Sequence, residues 1–110
     1  MAEMEIAPQA LAARLAGGEP TFLLDVREPW EHALAAIPGN VLVPLGELAM
    51  RWPEVTVPEG ALLVTYCHHG VRSLRAAGWL RASGVTSVVS LAGGIDAWSR
   101  EVDARVPRYG

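Results

Sequence analysis

The sequence predicts an α/β fold in which a parallel sheet is covered by helices on both faces. Short apolar runs with the length of buried strands alternate with segments whose apolar residues recur at helical spacing. Gly and Pro mark the boundaries, and no period of roughly 20 to 50 residues repeats itself. With 110 residues, 51% hydrophobic and 19% charged, the chain is sized and composed for one globular domain, residues 1–110, whose core needs no covalent staple.

Each element follows in turn. Pro8 suits the first turn of a helix over Gln9 to Leu15, which Gly17-Gly18 would end. Thr21 to Val26 reads as a buried strand, and Pro29 opens a short helix through Trp30 to Ala35. Pro38-Gly39-Asn40 is a turn, Val41 to Val43 a strand closed by Pro44, and Leu45 to Arg51 one or two helical turns before a proline-broken loop from Pro53 to Gly60. Ala61 to Tyr66 is the clearest strand. Ser73, Ala76, Ala77 and Leu80 fall on one helical face and predict a helix over 72–82. Ser87 to Leu91 is the last strand, Gly93-Gly94 leads into a helix with Ile95, Ala97 and Trp98, and the chain from Val102 onward is expected to lie over the surface. The four tryptophans, Trp30, Trp52, Trp79 and Trp98, are read as core or helix-to-sheet packing, His32 as surface, and Asp96 as a first-turn acid that complements the helix dipole.

Composition excludes several functions. Twelve acids against nine bases, net −3, argue against nucleic acid as the main partner. No apolar run approaches the ~20 residues of a membrane span, and the start, Met-Ala-Glu-Met-Glu, is acidic where a secretory signal would be basic and then apolar. The single cysteine, Cys67, forbids an internal disulfide and points to a reducing, cytoplasmic setting. Every basic residue is Arg, which removes Schiff-base lysines and Walker-type phosphate loops from consideration.

In parallel sheets, sites form at the carboxyl ends of strands where strand order reverses. One such end carries Cys67-His68-His69-Gly70-Val71-Arg72-Ser73, between a buried strand and a helix start. Unpaired N–H groups and the positive dipole end favour an anion there, and a short loop can curl into a nest of amides with Gly70 supplying the backbone freedom. Cys67 at its base would be a sulfur nucleophile in an anion hole, since the thiolate is the reactive form. Arg72 adds a planar cationic fork, and His68 or His69, whichever faces the pocket, adds charge near neutral pH. A lone cysteine at a strand end is often a small hydrophobe, but such a filler does not need this surround. Adjacent Cys, His and His diverge, and no second ligand pair is spaced for zinc; neither a metal site nor a cofactor is expected.

These residues resemble the rhodanese (sulfurtransferase) domain family over nearly the whole chain. Cys67, Gly70, Arg72 and Ser73 match the family's Cys-x-x-Gly-x-Arg-Ser; Asp25-Val26-Arg27 with Glu31 and Ile37-Pro38-Gly39 match an upstream element; Gly93-Gly94 and Trp98 match a closing Gly-Gly-x-x-x-Trp. Ala35-Ala36 stand where the family usually has Gly-His, a departure that touches local packing more than chemistry. The resemblance implies a small doubly wound domain of about four to five strands and persulfide chemistry on Cys67: a donor such as thiosulfate passes its outer sulfur to the cysteine, and cyanide, a thiol or an acceptor protein removes it. On this reading the loop amides from His68 to Ser73 stabilise the charged sulfur, Arg72 holds the anionic end of the donor, and Asp25 stands where it can orient Arg72 or Arg27, unless Asp25 and Arg27 only tie loops together.

Three other functions use the same loop. A thiol phosphatase or arsenate reductase would need room for a tetrahedral oxyanion, whereas only four residues, His68 to Val71, separate Cys67 from Arg72; related phosphatases carry five. A non-catalytic binding module would have little use for the cysteine and the full loop. A sulfur carrier would differ from the main reading only in its partners.

Overall fold

A computed structural model describes residues 4–110. The first three residues of the acidic start lie outside the described residues. The elements are β1 (Glu5–Ile6), α1 (Pro8–Ala16), β2 (Thr21–Asp25), α2 (Pro29–Leu34), β3 (Asn40–Leu42), α3 (Leu48–Arg51), β4 (Leu62–Tyr66), α4 (Val71–Ala82), β5 (Val88–Leu91) and α5 (Gly94–Glu101). Single 3-10 turns flank α3 at Leu45–Glu47 and Trp52–Glu54. The strands form one parallel sheet in the order β1-β5-β4-β2-β3.

The pleat distributes the apolar runs over two cores. Along β4, Val64 and Tyr66 enter one cluster with Leu11 of α1 and Ile95 and Trp98 of α5. Leu63 and Cys67 enter the other, with Leu48 of α3 and Ala76, Ala77 and Leu80 of α4. Strands buried on both faces read as continuous hydrophobic runs, which is why β2 and β4 stood out in the sequence. The small side chains of Ala76 and Ala77 let α4 pack closely on β4 and β5.

The chain leaves β2 to build β3 on one side, then returns to place β4 on the other, so the strand order reverses between β2 and β4. Their carboxyl ends lie side by side, with Asp25 opposite Tyr66 in register. This is the crevice where sheets of this kind bind ligands.

The structure departs from the sequence expectations in four places. The edge strand β1, two residues paired with Ser90 and Leu91, is too short to show any period and went unread. Trp30 and Trp79 are 63% and 40% exposed rather than packed inside, whereas Trp98 is buried. Trp79 follows the inward Ala76 and Ala77 on the outer flank of α4, and Trp30 sits on the one-and-a-half-turn α2 with its ring edge toward Tyr109. His32 is half-buried, with Nδ1 3.0 Å from Asp25 Oδ2. The stretch after Val102 also does more than cover surface: Val106 is buried, its carbonyl accepts from Ser99 Oγ at 2.6 Å, and Arg108 pairs with Asp96 at 2.9 Å. Among the described residues no helix is long and apolar enough to cross a membrane.

Candidate active site

Cys67 is the first residue after β4, and the alternation that sends Tyr66 toward α5 sends Cys67 toward α4. The loop then turns through Gly70 at φ +100°, a left-handed conformation that glycine adopts without strain, and α4 begins at Val71. That turn aims backbone amides at the sulfur: Cys67 Sγ accepts from Gly70 N at 3.1 Å and from Ser73 N at 3.3 Å, and lies 3.4 Å from Ser73 Oγ. Of the amide run from His68 to Ser73, it is these two that donate to Sγ. Cys67 is 1% exposed, as an inert filler would be, yet two N–H donors and the first turn of a twelve-residue helix converge on its sulfur. A hydrophobic filler has no use for them.

The loop is held from outside by α5. Ile95 N donates to the Cys67 carbonyl at 2.8 Å and Asp96 N to the His68 carbonyl at 3.1 Å. Gly94 makes this approach possible, since a side chain there would fall on those two carbonyls. Behind the sulfur, Ser73 Oγ and Ser90 Oγ are 2.7 Å apart, both buried. If the Ser90 hydroxyl donates to Ser73, the Ser73 proton is free for the sulfur. Ser90 was missed in the sequence, where its one signal is a hydroxyl inside the apolar run of β5.

Arg72 reaches not Asp25 but Glu31: Nη1 is 2.6 Å from Oε1 and Nη2 2.8 Å from Oε2, fork on fork. Glu31 is itself buried on α2, where it also accepts from the Glu28 amide in a capping box. Arg72 beside it, against the opposing effect of burial and helped by the Glu28 amide and the Tyr109 hydroxyl, holds the Glu31 carboxyl down to about 2. The arginine fork anticipated as holding the donor is therefore engaged by Glu31 through both Nη1 and Nη2, on a side chain that is about one-third exposed overall. The motif reading included Glu31 without a role.

Asp25 goes to Arg27. Both side chains are fully buried, with Arg27 Nε 2.9 Å from Oδ1 and Nη2 2.7 Å from Oδ2. The other guanidinium protons reach the Ala35 carbonyl at 2.6 Å, the Glu31 carbonyl at 3.3 Å and the Tyr109 hydroxyl at 2.9 Å. Burial works against the charge of Arg27, but Asp25 and Tyr109 outweigh it and its pKa is raised. This pair bolts α2 to the end of β2. None of its side-chain hydrogen bonds goes to the Cys67 sulfur or to Arg72.

The two histidines part company. His68 Nε2 donates to the Tyr109 carbonyl at 2.7 Å and its ring stacks on Tyr109 at 3.9 Å, while His69 is exposed with its ring 3.9 Å from that of His68. Val71 is 70% exposed and contributes backbone to the loop. Tyr109, near the end of the chain, left no mark in the sequence that could have found it.

The rhodanese-like domain profile matches residues 7–101. A protein named sulfurtransferase from Allochromatium vinosum is 38% identical over 96 residues, covering 87% of this chain and 88% of its own length. The chloroplastic rhodanese-like/PpiC domain-containing protein 12 of Arabidopsis thaliana is 40% identical over 90 residues, but there the match spans only 30% of the relative's length. Among solved structures, the human single-domain sulfurtransferase TSTD1 is similar with a TM-score of 0.77 at 28% identity, over 91% of this chain and 98% of that one.

Proposed function

The chain belongs to the rhodanese-like domain family, and from that premise we propose that it is a sulfurtransferase carrying a sulfane sulfur as a persulfide on Cys67. The observation that carries this reading is the pair of amides, Gly70 and Ser73, on the Cys67 sulfur beneath the start of α4. They favour a charged sulfur over a neutral one, before and after transfer.

In the first step the Cys67 thiolate attacks the outer sulfur of a donor such as thiosulfate. A new S–S bond forms, the donor's S–S bond breaks, and its electron pair leaves with sulfite. In the second step a thiophilic acceptor (cyanide, a thiol or a thiol on an acceptor protein) attacks the outer sulfur of the persulfide, and the electron pair returns to Cys67 as thiolate. Each step transfers one sulfur atom without outside oxidant or cofactor. The partly exposed Arg72 side chain supplies a cationic contact for an anionic donor end. The four-residue spacing to Arg72 and the near-complete burial of Cys67 suit delivery of a single sulfur atom better than entry of a tetrahedral phosphate.

Incubation of the purified protein with thiosulfate is expected to add one sulfur atom to the intact mass, removable by dithiothreitol, and Cys67→Ser is expected to add none. Absence of sulfur uptake from thiosulfate and from organic persulfides, together with hydrolysis of an aryl phosphate, would replace this reading with a phosphatase.

A further inference from the structure

Tyr109 lies beyond the stretch matched by the family profile, residues 7–101, yet it touches both layers of the site. Its hydroxyl is 2.9 Å from Arg27 Nη1 and 2.9 Å from Glu31 Oε2. A guanidinium can only donate, so the phenol oxygen accepts from Arg27 and its own proton goes to Glu31. Glu31 Oε2 is also the oxygen held by Arg72 Nη2. A hydrogen-bonded chain thus runs from the sealed core to the rim through Asp25, Arg27, Tyr109, Glu31 and Arg72. Tyr109 is built into this place, since buried Val106 and the Arg108–Asp96 pair pin the segment before it and His68 binds and stacks on Tyr109 itself. Burial, then the Glu31 carboxylate, pushes the phenol up to about 12 against the pull of Arg27, so it remains a donor at ordinary pH.

We infer that Tyr109 is a positioning residue that fixes the Glu31–Arg72 pair beside the Cys67 loop and thereby sets the preference for sulfur donors with an anionic end. The inference rests on the sulfur-transfer reading and adds to it a residue and a specificity. Without the phenol proton, Glu31 has one donor fewer and draws harder on Arg72, leaving less of that cation for a sulfonate; an alkyl persulfide, whose organic end is uncharged, loses little.

The test is Tyr109→Phe, which keeps the ring on His68 and removes only the hydroxyl. Thiosulfate kcat/KM is expected to fall about 3- to 10-fold, mainly through KM, less than the full loss of a hydrogen bond to a charged group because the effect reaches the donor only through Glu31 and Arg72. Use of an alkyl persulfide should change less than about 2-fold. In an Arg72→Ala background the same substitution should have no further effect on thiosulfate use. Equal losses with both donors, additive losses in the double variant, or an unchanged Tyr109→Phe enzyme would overturn the positioning role while leaving sulfur transfer standing. A wild-type protein that takes sulfur from neither donor would overturn both.

Discussion

Two carboxylate–guanidinium pairs stand a few residues apart, Asp25–Arg27 at the end of β2 and Glu31–Arg72 between α2 and the Cys67 loop. Both are bidentate and both contain a buried acid. They differ in access to water: the side chains of the first pair are 0% exposed, whereas Arg72 in the second is 34% exposed. A sealed pair with every donor committed holds a fold together but has nothing to offer a ligand. A half-open pair stabilises less, since water screens it, and leaves part of its cationic side chain in contact with solvent. On the proposed sulfur-transfer reading, the same chemistry serves structure or binding according to what covers it.

The strongest way to break this contrast is Arg27→Leu. Leaving Asp25 buried without its guanidinium, with only the His32 ring and the residue-27 amide still beside it, should cost about 3–5 kcal/mol, read as a lower urea midpoint. A loss under about 1 kcal/mol would mean the sealed pair is no bolt. A second measurement sharpens the role of Glu31. Its carboxyl is held at about 2 in the folded protein against an ordinary 4.5, so its contribution is complete above about 4.5 and is lost as pH falls toward 2. That contribution is up to about 3 kcal/mol, and Glu31→Gln should flatten the fall in urea stability over this window. An identical acid profile in wild type and variant would contradict the pairing. The smallest change is expected from Arg72→Ala: thiosulfate kcat/KM should drop about tenfold, near 1.4 kcal/mol, with a lesser loss for an alkyl persulfide. Equal losses would assign Arg72 to loop shape alone.

Much of the fold was legible because its strands are buried on both faces and its helices carry one apolar stripe. Boundaries fell within a residue or two; β3, for example, runs Asn40–Leu42 where Val41 to Val43 was expected. The two-residue β1 was invisible because two residues have no period. Trp30 and Trp79 misled because aromatic bulk signals burial on average, whereas exposure depends on the helix face each happens to occupy. In the site, the local order Cys67 to Ser73 announces a loop that can wrap a sulfur, since Gly70 and the helix start follow within six residues. The partner of Arg72 could not be read this way: Asp25 and Glu31 were both acids in the matched segment, and which of them meets Arg72 depends on where α2 lies relative to α4.

By itself, then, the chain's order of residues determined the alternation of strand and helix, the family, and the placement of the one thiol between a strand end and a helix start. These are local matters, set by periodicity, by glycine's backbone freedom and by the polarity of a helix end. Only the folded structure decided that Glu31 takes Arg72 while Asp25 takes Arg27, that Ser90 stands behind Ser73, and that Tyr109 comes back from the far end of the chain to join the two pairs. Apart from the local Asp25–Arg27 pair, whose choice of partner still depended on the packing of α2, these contacts span from 17 residues between Ser73 and Ser90 to 82 between Arg27 and Tyr109, which no pattern along a single strand or helix encodes.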